Sequence, residues 1–223
     1  MSFYVPGKKP LVIRTWDDSR FVIRPGTTDL GHATLVPELY ELNNWFLPNA
    51  RGVVIDVGAN VGGYTVRACR SADLVIAIEP LPDLFELLRY NVSLNCMKNN
   101  VILIEKAVSD KKGYIELKVP RIHRYYASRY ASIVRDSDLV YRVEADTLDN
   151  IITSLSIQKI NLLKIDIEGA ETVAFKGMRK TLEITDKLMI EIQAGNEWLI
   201  DELKKIGFTL IDKKEINYFP IKA

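Results

Sequence analysis

Five carboxylates stand at or just beyond the ends of short apolar runs, and their types and spacing can do chemistry. Asp56 leads into a glycine-rich stretch, Asp56-Val57-Gly58-Ala59-Asn60-Val61-Gly62-Gly63-Tyr64. Such a turn from strand to helix lets a ligand approach the backbone and aims the helix's free N–H groups at it. The order is not the G-x-G-x-x-G of dinucleotide sites, because Gly58 and Gly62 are four apart. An acid beside the first glycine also repels a pyrophosphate, whereas Asp56 can hold an ammonium group or orient water around one. Glu79 ends the next apolar run, in Ile78-Glu79-Pro80, twenty-one residues after Gly58. An acid at that place and distance receives the two hydroxyls of a ribose. A cofactor with a ribose and an amino-acid part but no pyrophosphate fits this pair of acids, and S-adenosylmethionine is such a molecule. The glycine loop taken alone also reads as a plain structural turn.

Asp166 and Glu168 close a fourth apolar run ahead of Gly169, and Glu191 closes a fifth. In an extended chain Asp166 and Glu168 face the same side, and Lys164 shares that parity and can neutralise Asp166. Transfer of a methyl group to a hydroxyl needs in-line alignment and a proton acceptor. The expectation is that Asp166 or Glu168 positions the acceptor and removes its proton, with Glu191 in support. The same acids can instead cap helices and orient a loop, or offer hard oxygen ligands to magnesium. His32 and His123 are the two histidines and the remaining candidates for a base or a substrate contact. A lone loop histidine is more often simply solvated or hydrogen-bonded.

These residues need a scaffold, and the apolar runs supply one. Residues 53–57, 74–78, 101–105, 162–166 and 188–192 are nearly all apolar, as strands buried on both faces are. Helical candidates lie between them at 63–71, 82–95, 170–184 and 197–206. This α/β alternation predicts a doubly wound parallel sheet. The tail, 208–211 and 216–221, reads as a closing hairpin with an antiparallel edge strand. Residues 1–50 read as an N-terminal extension that packs on or lids the main unit, residues 51–223. It contains a hairpin, 11–16 with 21–25, and a helix over 34–47 marked by Leu35, Leu39, Leu42 and Phe46.

The segment 120–140 breaks the rhythm with Arg121, His123, Arg124, Tyr125, Tyr126, Arg129, Tyr130 and Arg135. It has three readings: a solvated loop, a lid whose tyrosines, Tyr125 and Tyr126 among them, stack on a ring substrate, or a nucleic-acid contact. The 223 residues carry 30 Lys and Arg against 29 Asp and Glu, a net charge of +1. That excludes a chain basic throughout that holds nucleic acid by bulk charge, but not a local basic patch. No apolar run reaches the roughly 20 residues of a membrane span. The N-terminus lacks a signal-peptide pattern, so a cytoplasmic protein is the default expectation. Cys69 and Cys96 read as two small hydrophobes in a reducing compartment.

Taken in order, the motifs resemble the class I S-adenosylmethionine-dependent methyltransferases, and within them the FkbM family. They are Asp-Val-Gly-Ala-Asn-Val-Gly at 56–62, Ile-Glu-Pro-Leu-Pro at 78–82, Lys-Ala-Val-Ser-Asp at 106–110 and Ala-Asp-Thr-Leu-Asp-Asn-Ile at 145–151. Leu-Lys-Ile-Asp-Ile-Glu-Gly-Ala-Glu at 163–171 and Met-Ile-Glu-Ile at 189–192 complete the set. The resemblance covers about residues 50–195, and the Lys-Ile-Asp-Ile-Glu-Gly-Ala-Glu run is its most specific part. It implies a seven-stranded Rossmann-like sheet and methyl transfer, usually to an oxygen, with macrolide hydroxyls and sugars among family substrates. It also implies that Asp56, Gly58, Asn60 and Gly62 line the methionine part of the cofactor and that Glu79 takes the ribose. Pro80 and Leu81 then flank the adenine, with Ala107 and Val108 at its edge. Family members often carry a histidine after the fifth strand, where this chain has Gln193.

The function expected from all this is O-methylation of a small-molecule or glycan acceptor. An RNA methyltransferase is the alternative, because the stretch Arg89–Asn95 is also similar to a helix of archaeal tRNA guanine-methyltransferases. A protein-lysine methyltransferase is a weaker third reading, and a cofactor-binding module without catalysis a fourth.

Overall fold

The computed structural model describes residues 9–119, 121–122, 125–126 and 139–222. It opens with the expected antiparallel hairpin, β1 (Leu11–Arg14) and β2 (Arg20–Ile23). The helix expected over 34–47 is broken. α1 (Asp29–Thr34) ends where Leu35 turns left-handed at φ 53°. A 3₁₀ turn at Val36–Glu38 follows, then α2 (Leu39–Glu41), a π turn at Leu42–Phe46 and a second 3₁₀ turn at Leu47–Asn49. Pro37 lacks an N–H and disfavours helical geometry at the residue before it, which forces the break. The apolar spacing still reports burial, since Leu35, Leu42 and Phe46 are all buried.

β3 (Val53–Val57), α3 (Gly63–Ala68), β4 (Leu74–Ile78), α4 (Pro82–Asn95) and β5 (Val101–Ile104) then alternate as expected. Next come β6 (Ala107–Val108), β7 (Gly113–Val119), β8 (Arg121–Ile122), β9 (Tyr125–Tyr126) and β10 (Leu139–Asp146). β6, β10 and β7 form a separate three-stranded sheet in that order. Ile115, Leu117 and Val119 stand opposite Val143, Tyr141 and Leu139. Both strands alternate apolar with polar residues, so neither shows the continuous apolar run that marks the central strands. Residues 139–140 therefore belong to β10 rather than to an inserted loop. His123 lies outside the described residues, and for Tyr125 and Tyr126 only the backbone pairing of β9 with β8 is described.

α5 (Leu148–Ser154), β11 (Ile160–Ile165), α6 (Glu171–Ala174), α7 (Arg179–Glu183), β12 (Thr185–Glu191), α8 (Trp198–Lys205), β13 (Phe208–Lys214) and β14 (Asn217–Lys222) complete the chain. The single helix expected over 170–184 is thus two short ones, joined by a 3₁₀ turn at Phe175–Gly177. The central sheet has seven strands in the order β13-β14-β12-β11-β3-β4-β5. β12, β11, β3, β4 and β5 run parallel, and β14 enters antiparallel between β12 and β13. Alternate residues feed opposite faces. Ile55, Leu163 and Leu188 join one buried cluster, while Val54, Leu162 and Met189 join another with Trp45 and Phe46. The N-terminal segment thus covers one face of the sheet; Trp45 stacks on Phe219 with ring centroids 5.7 Å apart.

Cys69 and Cys96 are joined in a disulfide, contrary to the expectation of two free thiols. They occupy the C-caps of α3 and α4, and no sequence spacing announces that those two helix ends meet. Cysteine usage therefore gives no argument for a reducing compartment. Among the described residues, no helix is long and apolar enough to cross a membrane.

Candidate functional site

The carboxyl ends of β3 and β11 meet at the point where the strand order reverses, the place where open α/β sheets bind ligands. Strand register sets Lys164 directly opposite Asp56. Asp56 is wholly buried; its Oδ2 accepts from the Thr65 hydroxyl at 2.7 Å, and its Oδ1 lies 3.5 Å from Lys164 Nζ. The ammonium group that Asp56 faces thus belongs to the chain itself. Lys164 Nζ also lies 3.4 Å from Asp166 Oδ2, as the shared parity implies, and 4.8 Å from the centre of the Tyr64 ring. Burial works against the charge on Lys164, but Asp166, Asp56 and Glu38 together hold its ammonium above the ordinary lysine range.

The glycine loop folds back on the strand ends. At Gly58, φ is +79°, and a Cβ there would lie 1.9 Å from the Asp166 carbonyl oxygen, so only glycine allows this approach. The loop places the Asn60 N–H 2.9 Å from Glu79 Oε2, while the Leu81 N–H reaches Glu79 Oε1 at 3.0 Å. Burial pushes the Glu79 carboxyl up to about 7, although these two N–H groups pull the other way. Each carboxylate oxygen takes one backbone donor and keeps a lone pair, which suits a pair of vicinal hydroxyls.

A cleft of about 950 Å³, open to solvent, lies above these residues. Gly58, Asn60, Glu79, Pro80, Leu81, Ala107 and Val108 all line it. Asp56 and Gly62 are not among its lining residues: Asp56 is turned to Thr65 and Lys164, and Gly62 lies against Leu88. A second cavity, of about 810 Å³, adjoins it, and His32, Glu38, Lys164, Asp166 and Glu168 line both. Glu191 lines the second alone.

Asp166 and Glu168 reach this shared rim, though not by staying extended. β11 ends at Ile165, and the chain turns left-handed at Glu168 and Gly169, with φ of 57° and 96°. Glu171 clamps that turn by accepting the N–H groups of Ile167 at 3.0 Å and Gly169 at 3.3 Å. Burial, reinforced by Asp166, Glu168 and Glu171, drives the Glu191 carboxyl up to about 9. It therefore keeps its proton at neutral pH, and its Oε1 accepts a hydrogen bond from Gln193. Among the described residues, no group of three or more His, Cys, Asp or Glu is arranged to hold a metal ion.

Glu38, Tyr64 and Glu171 belong to this site without having been assigned a role from the sequence. Burial first, then Asp166, raises the Glu38 carboxyl, and burial with Glu38 raises the Tyr64 phenol. Tyr64 ends the glycine-rich stretch 56–64 and Glu171 ends the 163–171 motif, so their neighbours were a usable signal. Glu38 lies far from every motif, and only the fold brings it in. Gly63 lets the chain just before Glu38 pack closely on α3, because a Cβ there would lie 2.1 Å from the His32 carbonyl oxygen.

A doubly wound sheet with a glycine turn after its first parallel strand and a buried acid after its second, beside an open cleft, defines a Rossmann-like protein. Residues 56–210 match the model of the methyltransferase FkbM domain, and the chain belongs to that family. Hexuronic acid methyltransferase AglP of Haloferax volcanii is 28% identical over 143 residues, which is 64% of this chain and 56% of that protein. A tRNA (guanine(37)-N(1))-methyltransferase of Methanocaldococcus jannaschii is 27% identical over 92 residues, 40% of this chain and 27% of that one. The chain thus spans little more than half of the first relative and about a quarter of the second. Among solved structures, methyltransferase FkbM from Methylobacillus flagellatus aligns with a TM-score of 0.55 at 16% identity, over 77% of this chain and 44% of that one. A tRNA methyltransferase of M. jannaschii aligns with a TM-score of 0.52 at 18% identity, over 98% and 58%. At these identities the structural matches speak for the fold alone.

Proposed function

We propose that this chain transfers a methyl group from S-adenosylmethionine to a hydroxyl of a small molecule or glycan. The observation that carries the reading is Glu79, buried at the lip of the cleft with one free lone pair on each oxygen. When bound, S-adenosylmethionine supplies an electrophilic methyl carbon on a sulfonium centre. Glu79 takes the ribose hydroxyls, Pro80 and Leu81 flank the adenine, and Ala107 and Val108 meet its edge. The loop from Gly58 to Asn60 lines the methionine side, with Asp56 and Gly62 supporting it from behind the cleft wall. Asp166 and Glu168, on the rim shared by both cavities, position the acceptor hydroxyl and take its proton. Lys164 fixes the Asp166 carboxylate from 3.4 Å, and the protonated Glu191 donates a hydrogen bond rather than serving as a base. His32 contacts the acceptor, and the described part of the N-terminal extension, residues 9–50, covers the acceptor side.

The relative that acts on a hexuronic acid supports a sugar acceptor without fixing its charge. The test is incubation with labelled S-adenosylmethionine and a cell extract, followed by fractionation into RNA, protein, glycan and small molecules. Label in the glycan or small-molecule fraction is expected, and label confined to protein overturns the reading. Similarity to a tRNA methyltransferase supports RNA as a second acceptor class. A steep fall of tRNA binding with salt would favour it.

A further inference from the structure

We infer that Tyr64 is a further catalytic residue, whose hydroxyl oxygen touches the methyl-bearing sulfonium end of the donor. This rests on reading the first cleft as the donor site. Tyr64 is the second residue of α3, lines that cleft and is only 4% exposed. Two contacts fix its ring. Phe46 packs edge-on with 4.6 Å between centroids, and Lys164 Nζ stands 4.8 Å from the ring centre. Phe46 belongs to the N-terminal segment and Lys164 to β11, so the ring is held by two separate parts of the fold.

Ring packing does not account for the hydroxyl. It is buried, yet among the described residues it finds no hydrogen-bond partner of regular geometry. A buried polar group in that state carries a desolvation cost that nothing offsets, so a native fold that keeps one needs a reason. Its position supplies the reason. The charged groups that act on it most are Glu38 and then Asp166, and both line the first cleft and the second cavity. The hydroxyl therefore lies beside the rim where the two spaces meet. A methyl carbon has to reach that rim if Asp166 and Glu168 hold the acceptor there. Burial and Glu38 hold the phenol well above its ordinary range, so it stays neutral, with one proton and two lone pairs. The proton is directed to Glu38, and the lone pairs face the positive sulfur and its methyl group. A phenylalanine in the same place keeps both ring contacts and lacks only the oxygen.

The test titrates two ligands calorimetrically into the full chain. S-adenosylmethionine carries the methyl group and the positive charge, and S-adenosylhomocysteine lacks both. Tyr64→Phe is expected to weaken S-adenosylmethionine about tenfold, as loss of one contact to a charged group does, and to leave S-adenosylhomocysteine within about twofold. The ratio of the two affinities is the readout, because a loss of folded protein scales both equally. Equal weakening of both ligands, or of neither, overturns the inference. Should Tyr64→Phe fail to fold, Glu38→Ala reads the same ratio, because it removes the group that orients the hydroxyl. That ratio is expected to shift the same way by a smaller factor, and an unchanged ratio overturns the inference. Failure of the native chain to bind either ligand overturns the donor-site reading, and this inference with it.

Discussion

Lys164 and Asp56 face each other across neighbouring parallel strands, 3.5 Å apart and sealed from solvent. Removing one partner leaves the other as an uncompensated buried charge. Lys164→Met is therefore expected to cost about 3–5 kcal/mol, as single losses from buried pairs do. Asp56→Asn combined with Lys164→Met is expected to recover part of that loss. Denaturant unfolding of the two single variants and the double variant reads the coupling directly. Additive losses would show that the two charges do not act as a pair.

The Glu79 carboxyl, raised by burial to about 7, ties donor affinity to pH. Ribose hydroxyls donate to the ionised form, and the free protein loses that form as pH falls through 7. Affinity for S-adenosylhomocysteine is expected to be flat above neutrality and to fall towards about tenfold per pH unit below it. Glu79→Gln, which cannot ionise, is expected to bind weakly at every pH with a flat profile. Calorimetric titrations across that range check both.

Much of this was legible in the sequence because burial on both faces writes itself as continuous apolar runs. α4 falls on the expected residues 82–95, and β3 and β4 match theirs. β7 and β10 face a core on one side only, so alternation rather than an apolar run marks them. The 34–47 stretch has the right buried residues, but Pro37 breaks the helix that their spacing implies. The acids of the site were legible at strand ends, and so was Lys164 as the partner of Asp166, whereas the other partners were not. Asp56 reads as a ligand contact until the register sets Lys164 beside it, and Glu38 reaches the rim only through long-range packing.

Glu191 carries its proton at neutral pH, since its carboxyl is pushed up to about 9. Glutamine mimics that neutral form, so Glu191→Gln is expected to keep single-turnover methyl transfer near the native rate at pH 7. Asp166→Asn and Glu168→Gln test the base, and loss of it is expected to cost about 10²–10⁴ in rate. Native rates in both amide variants would remove these two acids from the proton transfer. The stability consequence has a definite sign. A carboxyl with a raised folded value contributes fully below its unfolded value near 4.5 and loses that contribution as pH rises through about 9. Glu191→Gln is therefore expected to gain stability over the native chain between those values.

Gly58 combines a left-handed φ of +79° with a position where a Cβ would lie 1.9 Å from a backbone oxygen. Neither conflict can be relieved by rotating a side chain. Gly58→Ala is expected to lose at least about 1–3 kcal/mol from the backbone strain alone. It is also expected to weaken S-adenosylhomocysteine binding, because the same loop presents Asn60 to Glu79. Gly195→Ala is the control: φ there is +88°, but nothing lies within 4 Å of the added Cβ. A similar stability loss in both variants would assign the effect to φ rather than to the close approach.

The disulfide between Cys69 and Cys96 ties the ends of α3 and α4, the helices that follow the glycine loop and Glu79. It closes a loop with a sequence separation of 27, for which chain entropy gives about 3–4 kcal/mol of stabilisation. In a chain of this length that corresponds to a melting shift of roughly 10 °C. Replacing both cysteines with alanine is expected to lower the melting temperature by about that amount, and dithiothreitol is expected to do the same to the native chain. Both helices begin at the cleft but carry the bridge at their far ends. S-adenosylhomocysteine affinity at low temperature is therefore expected to survive reduction almost unchanged. A large loss of affinity with little change in melting temperature would reverse this assignment and make the bridge part of the binding site.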